Sequence, residues 1–389
     1  MERQTVTTLK MLAVGVAFGV IVGLVISYAP LPGETTKVEL QPVADEDDAA
    51  PTPIPTPAVP INPQDERVPE PTDEAVLTFL VTGDTLYSAT ARLGVARTSD
   101  GEDWEPLRVG MHDPIVPQTL AQVLPTKETI TAALAGAVGE DGGEPDLDKL
   151  KAALVDLAEQ KPAILAGMSD GRVMRLDDRD NWQVLSRLPA AGGGVWKLRY
   201  HPSVGLAACT GRGLYFSENG GADWTQITTD ARTRDVVMGS NPDKRYLVAL
   251  YGGGLQRCSA QGRCAPVPGA PKEVRALEGF DADSAVHIAT DGDGVWRLRG
   301  NQVEQLSPEG LYNADMNDLV VRGTRIVVAA GADGIWIRDR GDSGWHPARN
   351  LPPDSVTAVT VFKGRVYAGT RRYGILSSPI GESDFSPTN

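Results

Sequence analysis

LAACTGRGLYFSE, residues 206–218, is a β-rich run, a turn of small residues, a glycine at 213 and a second apolar run. Six other stretches read the same way: LYSATARLGVART from Leu86, ILAGMSDGRVMRL from Ile164, LVALYGGGLQRC from Leu247, VHIATDGDGVWRL from Val286, IVVAAGADGIWIR from Ile326 and VYAGTRRYGILSS from Val366. Their turn glycines are Gly94, Gly171, Gly213, Gly254, Gly294, Gly334 and Gly374, spaced 77, 42, 41, 40, 40 and 40 residues apart. A period near 40 with four short strands per unit is the signature of a β-propeller, in which each unit is one blade of a ring. The expected fold is therefore all-β, with seven blades over residues 76–389.

One copy divides further. VWKLRYH, residues 195–201, reads as an inner strand, LAACT as the second, LYFSE as the third, and a fourth begins near Trp224. The long first spacing has its own cause. Around residues 144–160, Leu147, Leu150, Ala153, Leu154 and Leu157 fall at helical spacing, which predicts an amphipathic helix inserted in the second blade. An eighth, degenerate blade built on residues 129–139 is the alternative.

The amino terminus carries a different signal. Residues 11–28 contain no charge, and the span 11–29 is just long enough to cross a bilayer. Arg3 and Lys10 precede it and acids follow it, which places residues 1–10 in the cytoplasm and the propeller outside. A cleaved signal peptide is the competing reading, but Pro30 would then follow the cut directly and the apolar run is longer than an ordinary signal core. Gly15, Gly19 and Gly23 recur every fourth residue, giving one helix face that lets a second membrane helix approach closely. Residues 30–75 hold eleven prolines and eleven acids against Lys37 and Arg67, a composition that cannot bury a core and reads as a stalk, disordered or in extended polyproline II.

The net charge is −14, of which the stalk carries −9. That balance excludes a general nucleic-acid role, which needs clustered cations.

At the corners between third and fourth strands, SENGGADW (residues 217–224) combines a short polar cap, Ser217 and Asn219, with Gly221 and a tryptophan, Trp224, expected to pack under the turn. RTSDGEDW, RLDDRDNW and RDRGDSGW read as eroded copies, each with Trp 10 or 11 residues after the turn glycine. In the unit RCSAQGRC no Trp is present. Cys258 stands where Ser217 does and Cys264 at the Trp position, so the two face each other across a hairpin and would form a disulfide in an oxidising compartment, contributing roughly 2 kcal/mol. Cys209 reads as a small core residue.

Turns between second and third strands form one face of a propeller and the mouth of its channel. Here they carry Arg92, Arg212, Asp291, Asp293, Asp333, Arg371 and Arg372, the candidate binding face, against the plainer reading of ordinary solvated turns. Asp291 and Asp293 supply too few oxygen ligands for a Ca²⁺ site, so neither metal nor cofactor is expected. No H-E-x-x-H or G-x-S-x-G motif occurs, so catalysis has no support in the sequence.

The corner SENGGADW resembles the Asp-box of bacterial neuraminidase-repeat propellers, with Asn219 where Asp is usual. Sialidases of that group use an arginine triad and an R-I-P motif near the first blade. The nearest match, residues 67–69, lies in the stalk, where it could position nothing. Seven units, these corners and an extracytoplasmic placement make residues 76–389 more similar to the photosystem II stability/assembly factor family. That resemblance implies a non-enzymatic propeller that binds protein partners in a membrane complex. The membrane anchor and long stalk depart from that family's arrangement. The alternative is a cell-surface carbohydrate-binding or sialidase-type protein.

Overall fold

A computed structural model describes residues 74–111, 116–124, 162–188, 194–279, 282, 284–306, 311, 314–339, 341–352 and 354–388. The expected anchor at 11–29 with Gly15, Gly19 and Gly23, the stalk up to residue 73, the helix at 144–160 and the alternative blade at 129–139 lie outside these residues. Among the described residues, no helix is long and apolar enough to cross a membrane.

Seven four-stranded antiparallel sheets follow one another along the chain, each built from four consecutive strands. The first strands are Val76–Thr82, Pro117–Val123, Val195–His201, Thr233–Met238, Val274–Glu278, Asp318–Arg322 and Val356–Phe362. Each lies against the first strands of its two neighbours, and the seventh closes on the first, so these seven line a central channel. The result is a seven-bladed β-propeller. Contacts begin slightly before the expected start at residue 76, because Glu74 forms a parallel bridge with Tyr373 of blade 7.

The second strands are the most buried, with five consecutive buried residues in Thr85–Thr90, Gly205–Thr210 and Arg365–Thr370. Their side chains meet the adjacent blades in seven apolar clusters, one per interface. The cluster between blades 7 and 1 is the smallest and the most aromatic: Leu86, Phe362 and Tyr367 with Phe79, Val81, Trp104 and Ile375. Among the described residues no sheet combines amino- and carboxy-terminal strands, so the Glu74–Tyr373 bridge and side-chain packing join the two ends of the ring.

The repeated glycines have one physical cause. All seven sit where the chain turns into the third strand, with φ between 66° and 108°, a region closed to most side chains. At Gly213 an added Cβ would stand 2.0 Å from the Thr228 carbonyl oxygen. A threonine closes several of these turns by donating its hydroxyl to the glycine carbonyl: Thr90 to Gly94 at 3.2 Å, Thr210 to Gly213 at 3.1 Å, Thr290 to Gly294 at 2.6 Å and Thr370 to Gly374 at 2.9 Å.

Candidate binding site at the channel mouth

Six of the seven inner strands contain a β-bulge at their second residue. The register skips Leu77, Gln118, Trp196, Arg234, Arg275 and Thr357, each an extra residue with no partner on the second strand. In blade 6 the equivalent residue, Asn317, directly precedes the strand. A bulge re-aims its side chain, and all seven of these half-buried residues line one cavity of about 280 Å³ at the channel mouth. A second cavity of about 320 Å³ lies against blades 1 to 3, and Thr78, Thr119 and Lys197 line both.

On one side of the mouth, cations and rings alternate. The Arg234 guanidinium lies 4.7 Å from the ring centre of Trp196 and 5.7 Å from that of Tyr251, and Arg275 lies 5.4 Å from that of Tyr251. Trp196 is fixed by its indole N–H, which donates to the Thr233 carbonyl at 2.8 Å. The Tyr251 hydroxyl donates to Asp291 Oδ2 at 2.9 Å, and Arg275 donates to the same oxygen at 2.5 Å. Asp291 in turn bridges to Asp315 in the connection that enters blade 6. The hydrogen bond these two carboxyls share holds Asp291 below the usual range and pushes Asp315 above it, so the pair titrates as a unit. Arg234 has no acidic partner among the described residues, and both burial and the nearby charge of Arg275 work against its protonated form.

Deeper in the channel the charges are compensated. Asp235 is buried and takes a two-pronged contact from Arg199, at 3.0 and 2.9 Å, with Lys197 at 3.7 Å and the amides of Val236 and Leu277 at 2.8 and 3.0 Å. Burial alone would raise its pKa, but the Arg199 and Lys197 charges outweigh that and hold it down. Asp318 and Glu278 stand on the same wall and are pushed up, chiefly by burial.

Of the seven turn residues singled out from sequence, only Asp291 joins this assembly. Arg92, Arg212, Asp293, Asp333, Arg371 and Arg372 are exposed on the expected turns, and none lines the mouth cavity. The backbone of these turns is tied down locally: the amide of Arg92 donates to Glu74 at 3.0 Å, that of Arg212 to Thr210 Oγ1 at 3.1 Å, and that of Arg371 to the Ser355 carbonyl at 3.0 Å. The Asp293 and Asp333 carbonyls accept the indole N–H of Trp296 and Trp336. Arg372 lies 3.7 Å from Asp354. The mouth residues lie on inner strands, not on the turns between second and third strands. Their signal is the residue after each inner strand's buried first position, as in Val195-Trp196, Thr233-Arg234 and Val274-Arg275.

The corner motif has local geometry of its own. Ser217 Oγ accepts the Gly221 amide at 2.8 Å and Asn219 Oδ1 accepts the Asp223 amide at 2.9 Å. Trp224 does more than pack under its own turn, since its indole N–H donates to Ser186 Oγ of the preceding blade at 3.0 Å. The blade 1 copy is less eroded than its sequence suggests. Asp100 accepts the amides of Glu102 and Asp103 at 2.9 and 3.0 Å, which with the Thr98 hydroxyl lower its pKa to about 2. At the equivalent corner of blade 4, Cys258 and Cys264 are paired across the hairpin as a disulfide, Cα to Cα 4.0 Å, while Cys209 is free and buried.

No known protein family matches the chain, and no curated protein matches it in sequence. Solved structures do match. The WD40 β-propeller domain of Doa1 aligns with TM-score 0.56 and 12% identity over 80% of this chain and 95% of that one. YCF48 bound to a D1 peptide aligns with TM-score 0.55 and 14% identity over 80% and 95%. The GH74 enzyme of Niastella koreensis aligns with TM-score 0.50 and 16% identity over 78% of this chain and 43% of that one. They share its fold. At these identities the likeness carries nothing further, and the set spans peptide-bound and enzymatic propellers alike.

Proposed function

We propose that this chain is a protein-binding propeller, held outside the cytoplasm by the anchor at residues 11–29 and its proline-rich stalk, that serves as a scaffold or assembly factor of a membrane complex. The observation that carries the reading is the Trp196–Arg234–Tyr251–Arg275 ladder. Arginine and large aromatic residues are the groups that dominate protein-binding surfaces, and here three lie on inner strands and Tyr251 directly follows another strand, beside an open mouth. The YCF48 likeness, in a structure that holds a D1 peptide, and the Asp-box-like corner support the same class of role. The test is purification of the full chain from native membranes in mild detergent. A stoichiometric set of membrane subunits, lost when Arg275 and Tyr251 are replaced together, is the expected result; a chain that comes out alone overturns it.

A glycan-binding or glycoside-hydrolase-like reading has one observation in its favour, the coupled Asp291–Asp315 carboxyls beside Arg275. Against it, guanidinium groups already cover faces of the Trp196 and Tyr251 rings on which a sugar would stack. Binding on a glycan array, or release of sugar from one, would favour this second reading.

A further inference from the structure

The chain enters the ring on the mouth face, at the seam between its first and last blades. Glu74 is buried there: its Oε1 accepts the amides of Arg92 and Leu93, both at 3.0 Å, and its backbone bridges Tyr373. The turns of blades 1 and 7 thus meet across this one residue. Between them they present Arg92, Leu93, Arg371 and Arg372, all exposed. Leu93, at 52%, is among the few large apolar side chains so exposed in the described residues. Three arginines here face two carboxylates, and both carboxylates are engaged, Glu74 by the two amides and Asp354 by the amide and guanidinium of Arg372. Among the described residues the side chains of Arg92 and Arg371 make no ion pair and no hydrogen bond.

Exposed arginines are ordinarily satisfied by water, so the imbalance alone assigns no occupant. The arriving chain does. It reads Val-Pro-Glu-Pro-Thr-Asp over residues 68–73, two carboxylates and two prolines with no cation. The Glu74–Tyr373 bridge is parallel, so the residues before Glu74 are led toward those before Tyr373, which are Arg372 and Arg371. Glu70 stands four residues from this fixed point, a reach of about 14 Å at most. Carboxylates set among prolines match arginines set around an exposed leucine, in charge and in apolar surface alike. We propose that residues 68–73 fold back on this seam, Glu70 and Asp73 pairing with Arg371 and Arg92 and the prolines covering Leu93. The contact is an intramolecular clasp. It reserves the cationic sector of the mouth face for the chain's own stalk and keeps free acidic peptides off it. The mouth cavity stays open, because neither these turns nor Glu74 line it. Single exposed ion pairs are weak. The tether offsets this by raising the local concentration of both carboxylates to about the millimolar range, and the prolines leave less backbone freedom to lose.

The clasp stands independently of what the mouth binds, and a chain that copurifies with partners but shows no clasp would keep one reading and lose the other. The experiment measures a distance in the full-length chain in detergent, by pulsed dipolar spectroscopy between spin labels on Val68→Cys and Arg212→Cys. Arg212 is exposed on the mouth face of blade 3, away from the seam. The labels go to the introduced thiols, because Cys258 and Cys264 are paired and Cys209 is buried. A narrow distance distribution is expected at low salt, broadening severalfold at about 0.5 M sodium chloride, where exposed pairs are screened. Arg92→Gln with Arg371→Gln should broaden it as much at low salt, and so should Glu70→Gln with Asp73→Asn. Combining Glu70→Arg and Asp73→Arg with Arg92→Glu and Arg371→Glu should narrow it again, an outcome that a purely steric contact would not give. Both arginines are exposed, so urea midpoints should stay at the wild-type value throughout. An added oligoglutamate peptide should bind the chain carrying Glu70→Gln and Asp73→Asn severalfold more tightly than wild type. A broad distribution in wild type at low salt, or a narrow one indifferent to salt and to the arginine replacements, would overturn the proposal. So would oligoglutamate that does not distinguish the two chains, which would leave this sector open to an acidic partner instead.

Discussion

Trp182 in blade 2 donates its indole N–H at 3.0 Å to the carbonyl of Leu107, 75 residues earlier in blade 1. Trp345 of blade 6 does the same to Leu306 of blade 5 at 3.2 Å, and Trp224 of blade 3 reaches the Ser186 hydroxyl of blade 2. The corner tryptophans of blades 2, 3 and 6 therefore tie each of these blades to the outer edge of the one before it. Trp182→Phe keeps most of the ring and strands the Leu107 carbonyl, which should cost about 1 kcal/mol, whereas Trp182→Ala should cost about 3–5 kcal/mol. Urea midpoints of the two variants check this. Equal losses would show that the hydrogen bond contributes nothing beyond packing.

Asp235→Asn should be among the most damaging single changes in the channel wall. It leaves the Arg199 guanidinium facing Glu278 at 3.9 Å as its nearest remaining acid, with Lys197 also deprived of its partner. A loss of about 3–5 kcal/mol is expected. The double change Arg199→Met with Asp235→Leu should recover part of that loss, because it removes both charges from the interior. Equilibrium unfolding of wild type, single and double variants makes the comparison.

Acid should act through His287. Burial, reinforced by the charges of Arg297 and Arg299, lowers its pKa to about 4 from an ordinary 6.5. The unfolded chain therefore takes up a proton at a pH where the folded chain does not. Stability from this group is intact above pH 6.5 and falls as the pH drops from there toward 4, by on the order of 2 kcal/mol given its half-buried place. His287→Thr should flatten that part of the profile. Thermal midpoints measured between pH 7 and 4.5 would show the two proteins converging on acidification.

Reduction should weaken blade 4 selectively. The Cys258–Cys264 link closes a six-residue separation, for which chain entropy gives about 2 kcal/mol. Cys264→Ser in the absence of reductant should match wild type in its presence. A wild-type melting point indifferent to reductant would contradict that ranking.

Much of the fold is legible in the chain because one backbone constraint recurs. A left-handed turn is needed once per blade, glycine meets it each time, and the spacing of Gly213, Gly254, Gly294, Gly334 and Gly374 displays the period directly. The mouth was far less legible. Trp196, Arg234, Arg275 and Gln118 are of three residue types, and what they have in common, a bulge at the second position of an inner strand, is a property of register. Asp291 was legible as a turn residue, but its coupling to Asp315 depends on how blade 5 meets the connection into blade 6. The bond from Trp182 to Leu107 was hidden for a similar reason, since it crosses between blades that sequence reading treats one at a time.

The bulges at the mouth also separate what holds the ring together from what it presents. Each extra residue is skipped by the hydrogen-bond ladder, so exchanging Leu77, Gln118 or Thr357 for another side chain breaks no strand pairing. The six bulge positions, one in every blade but the sixth, can thus vary while the strand ladder stays unchanged. Selectivity at such a rim can be rewritten one spoke at a time, and propellers alike in shape need not be alike in what they hold.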